Sequence, residues 1–137
     1  MIRVLVVDDS ATAREALCVI LRSEPSIQIV GEATDGVQGV ELAAQLKPDV
    51  ITMDINMPQM NGYEATRAIM ASTPAPIVVV TSVTQEELVH QGLDILLAGA
   101  LEIVQKPSSL ADTSFESVRT ELIAKIKAVA QIKFPRP

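Results

Sequence analysis

Val4-Leu5-Val6-Val7-Asp8-Asp9-Ser10 is the stretch on which the reading of this chain turns. Four consecutive aliphatic residues suit a strand buried on both faces, as in a parallel sheet. Ser10 fits an N-cap, and Ala13, Leu17, Ile20 and Leu21 fall near helical spacing through about Arg22. The unit is therefore a buried strand, a tight turn and a helix. Two carboxylates stand where the strand ends.

The same grammar recurs down the chain. Residues 27–30 read as a second strand. Gly36 opens a helix carrying Val37, Val40, Leu42, Ala43 and Leu46, stopped by Pro48. Residues 50–53, 77–80 and 101–104 are three more apolar runs. Helices are expected from Tyr63 to Met70, and from Thr84 or Gln85 onward with Leu88, Val89, Leu93, Leu96 and Leu97. A last helix over 114–130 carries the stripe Phe115, Val118, Leu122, Ile126 and Val129. Strict strand–helix alternation predicts a doubly wound parallel sheet. Such sheets bind ligands beyond the carboxyl ends of their strands, at the topological switch point.

Length and composition narrow the function classes. The 137 residues fit one domain, 48% hydrophobic and 20% charged. Aromatic content is only 2%, so Val, Ile, Leu, Ala and Met must build the core. The net charge of −6, without a Lys/Arg cluster, speaks against nucleic-acid binding by this chain. The one cysteine, Cys18, suits a reducing compartment. No signal-peptide core or apolar stretch of spanning length appears, so no membrane is expected and the cytoplasm is the expected location. The tail, residues 131–137, has no apolar period and reads as the start of a linker after a domain over 1–130.

The polar residues at the run ends form one set. They are Asp8 and Asp9, Asp54, Thr81, and Lys106 with Pro107. Neighbouring parallel strands would bring them to one sheet edge. Carboxylates held together repel by roughly 4 kcal/mol per pair at about 4 Å and an effective dielectric near 20. Such a site raises a pKa or recruits a cation. Magnesium suits oxygen donors, and the absence of His and Cys from these strand ends counts against zinc. A carboxylate can also form an aspartyl phosphate. Asp54 stands alone at the end of the middle strand and is the candidate acceptor, with Asp8 and Asp9 on the metal. Lys106 would pair with a phosphoryl oxygen and Thr81 would donate to another. Pro107 would fix the backbone behind Lys106, and a cis bond there would aim the ammonium inward.

Together these residues resemble a receiver domain of two-component response regulators. The resemblance rests on Asp8-Asp9, Asp54 followed by Met57-Pro58 and Gly62, Val80-Thr81-Ser82, Gly99-Ala100 and Lys106-Pro107. It covers about residues 2–130. It implies a flavodoxin-like fold with strand order 2-1-3-4-5 and five helices. It implies Asp54 as phosphoacceptor, with a histidine kinase of the CheA kind as donor. It implies magnesium on Asp9, Asp54 and the backbone carbonyl of Asn56, with Asp8 acting through water. Thr81, the Ser82 backbone and Lys106 would take the phosphoryl group.

A finer resemblance is to the receivers of CheB-type chemotaxis methylesterases. It rests on residues 3–11, residues 52–58, Thr81-Ser82-Val83-Thr84 and Lys106-Pro107-Ser108-Ser109. It implies an output esterase domain outside this chain, which would itself be no enzyme beyond turnover of its own phosphate. A stand-alone chemotaxis regulator is the alternative. One residue departs from the receiver pattern. Ile103 stands three residues before the lysine, where receivers often carry an aromatic whose rotamer reports phosphorylation.

Two rival classes share part of this pattern. A haloacid-dehalogenase phosphohydrolase also uses an Asp nucleophile, magnesium and a lysine, but puts an Asp-x-Asp motif after its first strand. A degenerate receiver acting only by protein interaction would not need the full acidic, threonine and lysine set. Elsewhere the plain readings hold: Met53, Met57, Met60 and Met70 as packing residues, Cys18 as a small buried hydrophobe, and His90 and Glu86-Glu87 as surface.

Overall fold

The computed structural model describes residues 1–82, 85–106 and 115–134, with side chains at all of them except 85, 86, 88, 91–93 and 97. Strands and helices alternate throughout: β1 Ile2–Val7, α1 Ala11–Arg22, β2 Ile27–Ala33, α2 Gly36–Leu46, β3 Val50–Met53, α3 Gly62–Ser72, β4 Ile77–Thr81, α4 Gln85–Ala98, β5 Glu102–Gln105 and α5 Phe115–Val129. The five strands form one parallel sheet in the order β2-β1-β3-β4-β5. This is the doubly wound parallel sheet the alternation predicts, in the flavodoxin-like order the resemblance implies.

The continuous aliphatic runs are explained by two cores. Successive residues of a strand point to opposite faces. Val4 and Val6 join Val50, Val78, Val80 and Val104 on the face covered by α1 and α5, against Leu17, Ile20, Leu21, Leu122 and Ile126. Leu5 and Val7 join Ile51, Met53, Ile77 and Val79 on the other face, under α2, α3 and α4. A strand between two such layers has no solvent side, so it needs no polar alternation. Each fully buried Val, Leu or Ile contributes about 2 kcal/mol relative to exposure. With so few aromatics, the core depends on many such side chains.

Helix ends follow local chemistry. Ser10 caps α1, its hydroxyl accepting from Ala13 N–H at 3.2 Å. Asp35 caps α2 through Gln38 N–H at 2.8 Å. At the other end of α2, Lys47 takes a left-handed conformation with φ 48° before Pro48. Asn61 and Glu64 form a reciprocal capping box that starts α3 at Gly62, one residue before the expected Tyr63.

Two expectations need correction. β2 runs to Ala33 rather than Val30, because pairing with β1 resumes past an irregularity between Val4 and Leu5 and continues to Val7↔Ala33. In α4 two of the apolar residues expected on the helix lie outside the core: Val89 is 83% and Leu96 50% exposed, while Ile95 and Ala98 are buried. Leu88, Leu93 and Leu97 lie outside the described side chains. The α5 stripe faces the core as expected, with Val118, Leu122, Ile126 and Val129 buried, Phe115 partly so, and Ile123 in addition. No helix among the described residues is long and apolar enough to cross a membrane.

Candidate functional site

Strand register brings the polar set together. Val7 is paired with Met53, so Asp8 and Asp54 are the next residues of adjacent strands, and Asp54 N–H donates to Val7 C=O at 2.9 Å. Thr81 is paired with Gln105, and Lys106 N–H donates to Thr81 C=O at 2.8 Å. Asp8, Asp54 and Thr81 are therefore the buried polar ends of β1, β3 and β4. Lys106 reaches across from the end of β5.

The carboxylates of Asp8, Asp9 and Asp54 each offer an oxygen within 4.8 Å of the others. Asp8 and Asp54 are buried and Asp9 is exposed, so the cluster opens to solvent on one side. Lys106 Nζ lies 2.7 Å from Asp8 Oδ2 and 3.4 Å from Asp54 Oδ2. The remaining oxygens are fixed by the backbone. Asp8 Oδ1 accepts from Ser10 N–H and Asp54 Oδ1 from Ile55 N–H, both at 2.9 Å. Asp8 Oδ2 meets the ammonium as an ion pair but has no N–H or O–H in hydrogen-bonding geometry.

One ammonium does not balance three carboxylates. Burial, and next the charge of Asp8, push the Asp54 carboxyl up to about 6, against the opposing pull of Lys106 and of Ile55 N–H. The site therefore has a surplus of oxygen donors, a buried acceptor atom without a hydrogen bond and an elevated carboxyl. That donor set fits a hard divalent cation.

The loop after β3 is shaped for close approach. Gly62 N–H donates to Ile55 C=O at 2.8 Å. A Cβ at Gly62 would lie 2.1 Å from the Asp54 carbonyl oxygen and 2.8 Å from Ile55 Cα, so only glycine fits there. Asn56 lies in this loop with its side chain exposed. Ser82 follows Thr81 and is exposed. Pro107, with the expectation attached to its peptide bond, lies outside the described residues, as do Val83, Thr84, Ser108 and Ser109.

Comparisons with known proteins show the family. Residues 4–114 match the model of the response regulator receiver domain. The chain belongs to this family. The receiver domain is 44% identical over 135 residues to protein-glutamate methylesterase/protein-glutamine glutaminase 4 of Myxococcus xanthus, covering 98% of this chain and 38% of that protein. The chain thus spans about two fifths of the curated relatives it matches. Among solved structures it resembles the response regulator domain of Thermotoga maritima CheB, at 42% identity and a TM-score of 0.87, covering 98% of this chain and 99% of that one. It also resembles the receiver domain of the Pseudomonas aeruginosa sensor histidine kinase PA1611, which has magnesium coordinated in its active-site cleft. There the identity is 25% and the TM-score 0.76, over 96% and 98% of the two chains.

Ile103, where many receivers carry an aromatic, pairs with Val79 and packs partly buried against the core under α4. One contact of the receiver site is not visible in the residue pattern. Arg14 Nη1 donates to the Asp8 backbone carbonyl at 2.7 Å, while Arg14 Nε lies 3.7 Å from Glu32. In sequence Arg14 looks like any solvated helical arginine; its place one turn past Ser10 is the only hint. A cleft of about 410 Å³ lies at the opposite, amino-terminal edge of β3 and β4, lined in part by Lys47, Pro48, Thr73, Pro76 and Phe134. It shares no residue with the acidic site.

Proposed function

We propose that this receiver accepts a phosphoryl group on Asp54 and passes that event to an output domain. The observation that carries the reading is the convergence of three carboxylates and Lys106 at the carboxyl edge of the sheet. Asp54 Oδ1 is held by Ile55 N–H. Oδ2 faces the ammonium and is the attacking oxygen. With its carboxyl at about 6, Asp54 is mostly ionised at neutral pH and ready to act as nucleophile.

Oδ2 attacks phosphorus, an O–P bond forms, and the N–P bond of a phosphohistidine donor breaks. The electron pair of that bond stays with the imidazole, which takes a proton from solvent. Lys106 lies between Asp8 and Asp54, placed to neutralise charge on the arriving phosphoryl oxygens. The Thr81 hydroxyl and Ser82 N–H, at the end of β4, donate to the others. Asp9, Asp54 and the Asn56 carbonyl would hold magnesium, with Asp8 acting through water. When bound, the ion neutralises charge shared by the carboxylates and the phosphoryl group. The magnesium of the PA1611 receiver supports this choice of metal.

The donor is a histidine kinase, by analogy with the chemotaxis relatives a CheA-like one. The longer methylesterase relatives support a parent protein in which residues 131–137 begin a linker to an esterase domain. In that parent, phosphorylation controls demethylation or deamidation carried out elsewhere in the polypeptide. The lone cysteine suits a cytoplasmic setting.

The test is incubation with acetyl phosphate and magnesium, followed by intact mass and peptide mapping. A base-labile phosphoryl adduct on Asp54 is expected in the wild type and none in Asp54→Asn. An equal adduct in the variant would overturn the assignment.

A further inference from the structure

The loop that connects Asp54 to α3 is gripped on two sides. Gly62 presses on its beginning, at the carbonyl of Asp54. The second grip comes from a different element, the first turn of α2. A Cβ placed on Gly36 would lie 2.1 Å from the Met60 carbonyl oxygen, and 2.8 Å from both Met60 C and Met60 Cβ. The first two of these atoms are main chain and cannot swing aside as a flexible side-chain end would. α2 therefore packs its first residue directly on the backbone of the loop.

Both partners of this contact are held in place. On the α2 side, Asp35 Oδ1 accepts from Gln38 N–H at 2.8 Å, and Gln38 Oε1 accepts from Thr34 N–H at 3.0 Å and from the Thr34 hydroxyl at 3.1 Å. One residue before that turn, Ala33 C=O accepts from Asp8 N–H at 3.0 Å. On the loop side, Gln59 adopts φ 69°, in the left-handed region that costs a non-glycine residue about 1–2 kcal/mol. Met60 N–H donates to Pro58 C=O at 2.8 Å, closing a tight turn. Unfavourable backbone persists where the surroundings hold it. Here the surface against Met60 is Gly36.

We propose that Gly36 is a positioning residue for the metal site, acting through Met60 on the loop that carries Asn56. The inference rests on the magnesium reading above. A side chain at Gly36 pushes the Met60 peptide outward. The strained turn at Gln59 relays that shift toward Asn56, whose carbonyl is the backbone ligand. Supporting groups outside the ligand set typically change metal affinity by about 10–100-fold when altered. Gly36→Ala is expected at the lower end, on the order of tenfold weaker for magnesium.

The experiment is magnesium titration of the full chain, followed by amide NMR shifts, with urea unfolding in metal-free buffer run in parallel. Gly31→Ala is the control for a methyl added at another glycine that α2 packs against. Its Cβ would meet only the flexible ends of Leu46 and Leu5, at 2.7 and 3.4 Å, and no atom of the loop, so it should keep wild-type affinity. Gln38→Ala loosens the same turn of α2 without adding an atom at the contact or changing charge. It keeps the question answerable if Gly36→Ala does not fold. Weaker magnesium binding in Gly36→Ala, or in Gln38→Ala where the first is unfolded, with unchanged binding in Gly31→Ala, supports the proposal. Wild-type affinity in the folded Gly36 variant, or in Gln38→Ala where it must stand in, overturns it. So does an equal loss in Gly31→Ala. A wild-type chain whose amides do not respond to magnesium overturns the metal reading itself, a separate outcome.

Discussion

Lys106 Nζ sits 2.7 Å from Asp8 Oδ2, closer than its 3.4 Å to Asp54 Oδ2, so the ammonium is anchored on one carboxylate while it neighbours the other. Asp8 is fully buried, and Lys106 supplies the cation beside it. Removing one partner of a buried ion pair leaves an uncompensated charge, which typically costs 3–5 kcal/mol, whereas an intact pair adds little. Lys106→Met is therefore expected to lower stability by about 3 kcal/mol at neutral pH in metal-free buffer, read by urea unfolding. Magnesium should recover part of that loss, because a second cation can take over the charge. A variant as stable as wild type would show that the Lys106–Asp8 pair does not matter to the fold.

Asp54 carries the opposite sign. Its carboxyl is raised from 3.8 to about 6, by burial first and by Asp8 second. An acid whose folded pKa exceeds its unfolded value binds its proton more tightly when folded. Stability from this group is therefore fully present below the unfolded value and lost as pH rises through the window from 3.8 to about 6. A shift of this size corresponds to about 2–3 kcal/mol. Asp54→Asn keeps an oxygen for Ile55 N–H and removes the charge. It should match wild type near pH 3.5 and exceed it by about 2 kcal/mol near pH 7.5, without metal. A stability difference between the two proteins that does not change with pH would show that Asp54 is not elevated.

Asp9 separates metal binding from folding. It belongs to the carboxylate cluster yet is exposed and outside both cores. Exposed substitutions away from packing usually stay within about 0.5 kcal/mol. Asp9→Asn should leave metal-free stability unchanged or slightly higher, because it removes one of three repelling charges without touching the core. It should abolish most of the stabilisation that excess magnesium gives the wild type, about 2.7 kcal/mol at a concentration one hundred times Kd. Equal magnesium stabilisation in the variant would remove Asp9 from the ligand set.

What the residues disclosed, and what they hid, has a physical pattern. Val4 to Val7 and Val50 to Met53 have no solvent face, so their strands and the shared edge beyond them could be read directly. The meeting of Asp8, Asp54 and Lys106 followed from parallel register alone. Arg14 and Gly36 stayed hidden because their contacts are to main-chain carbonyls, of Asp8 and of Met60. A carbonyl is present at every residue and leaves no mark in the sequence. The apolar run of β2 stops at Val30, yet the strand continues through Gly31-Glu32 to Ala33, because an edge strand tolerates both residues.

The face of α4 was hidden for another reason. Its apolar residues, Leu88, Val89, Leu93, Ile95, Leu96 and Leu97, occupy more than one side of the helix, so periodicity cannot choose among them. Burial in the core on that side of the sheet chooses Ile95, 1% exposed, and leaves Val89 exposed and Leu96 half-exposed. Truncating a buried isoleucine removes transfer energy and opens a cavity, a loss of about 2–5 kcal/mol. Ile95→Ala is expected to cost about 3 kcal/mol in urea unfolding, while Val89→Ser and Leu96→Ser each stay within about 0.5 kcal/mol. Comparable losses at Leu96 and Ile95 would mean that α4 is rotated about its axis from the orientation described.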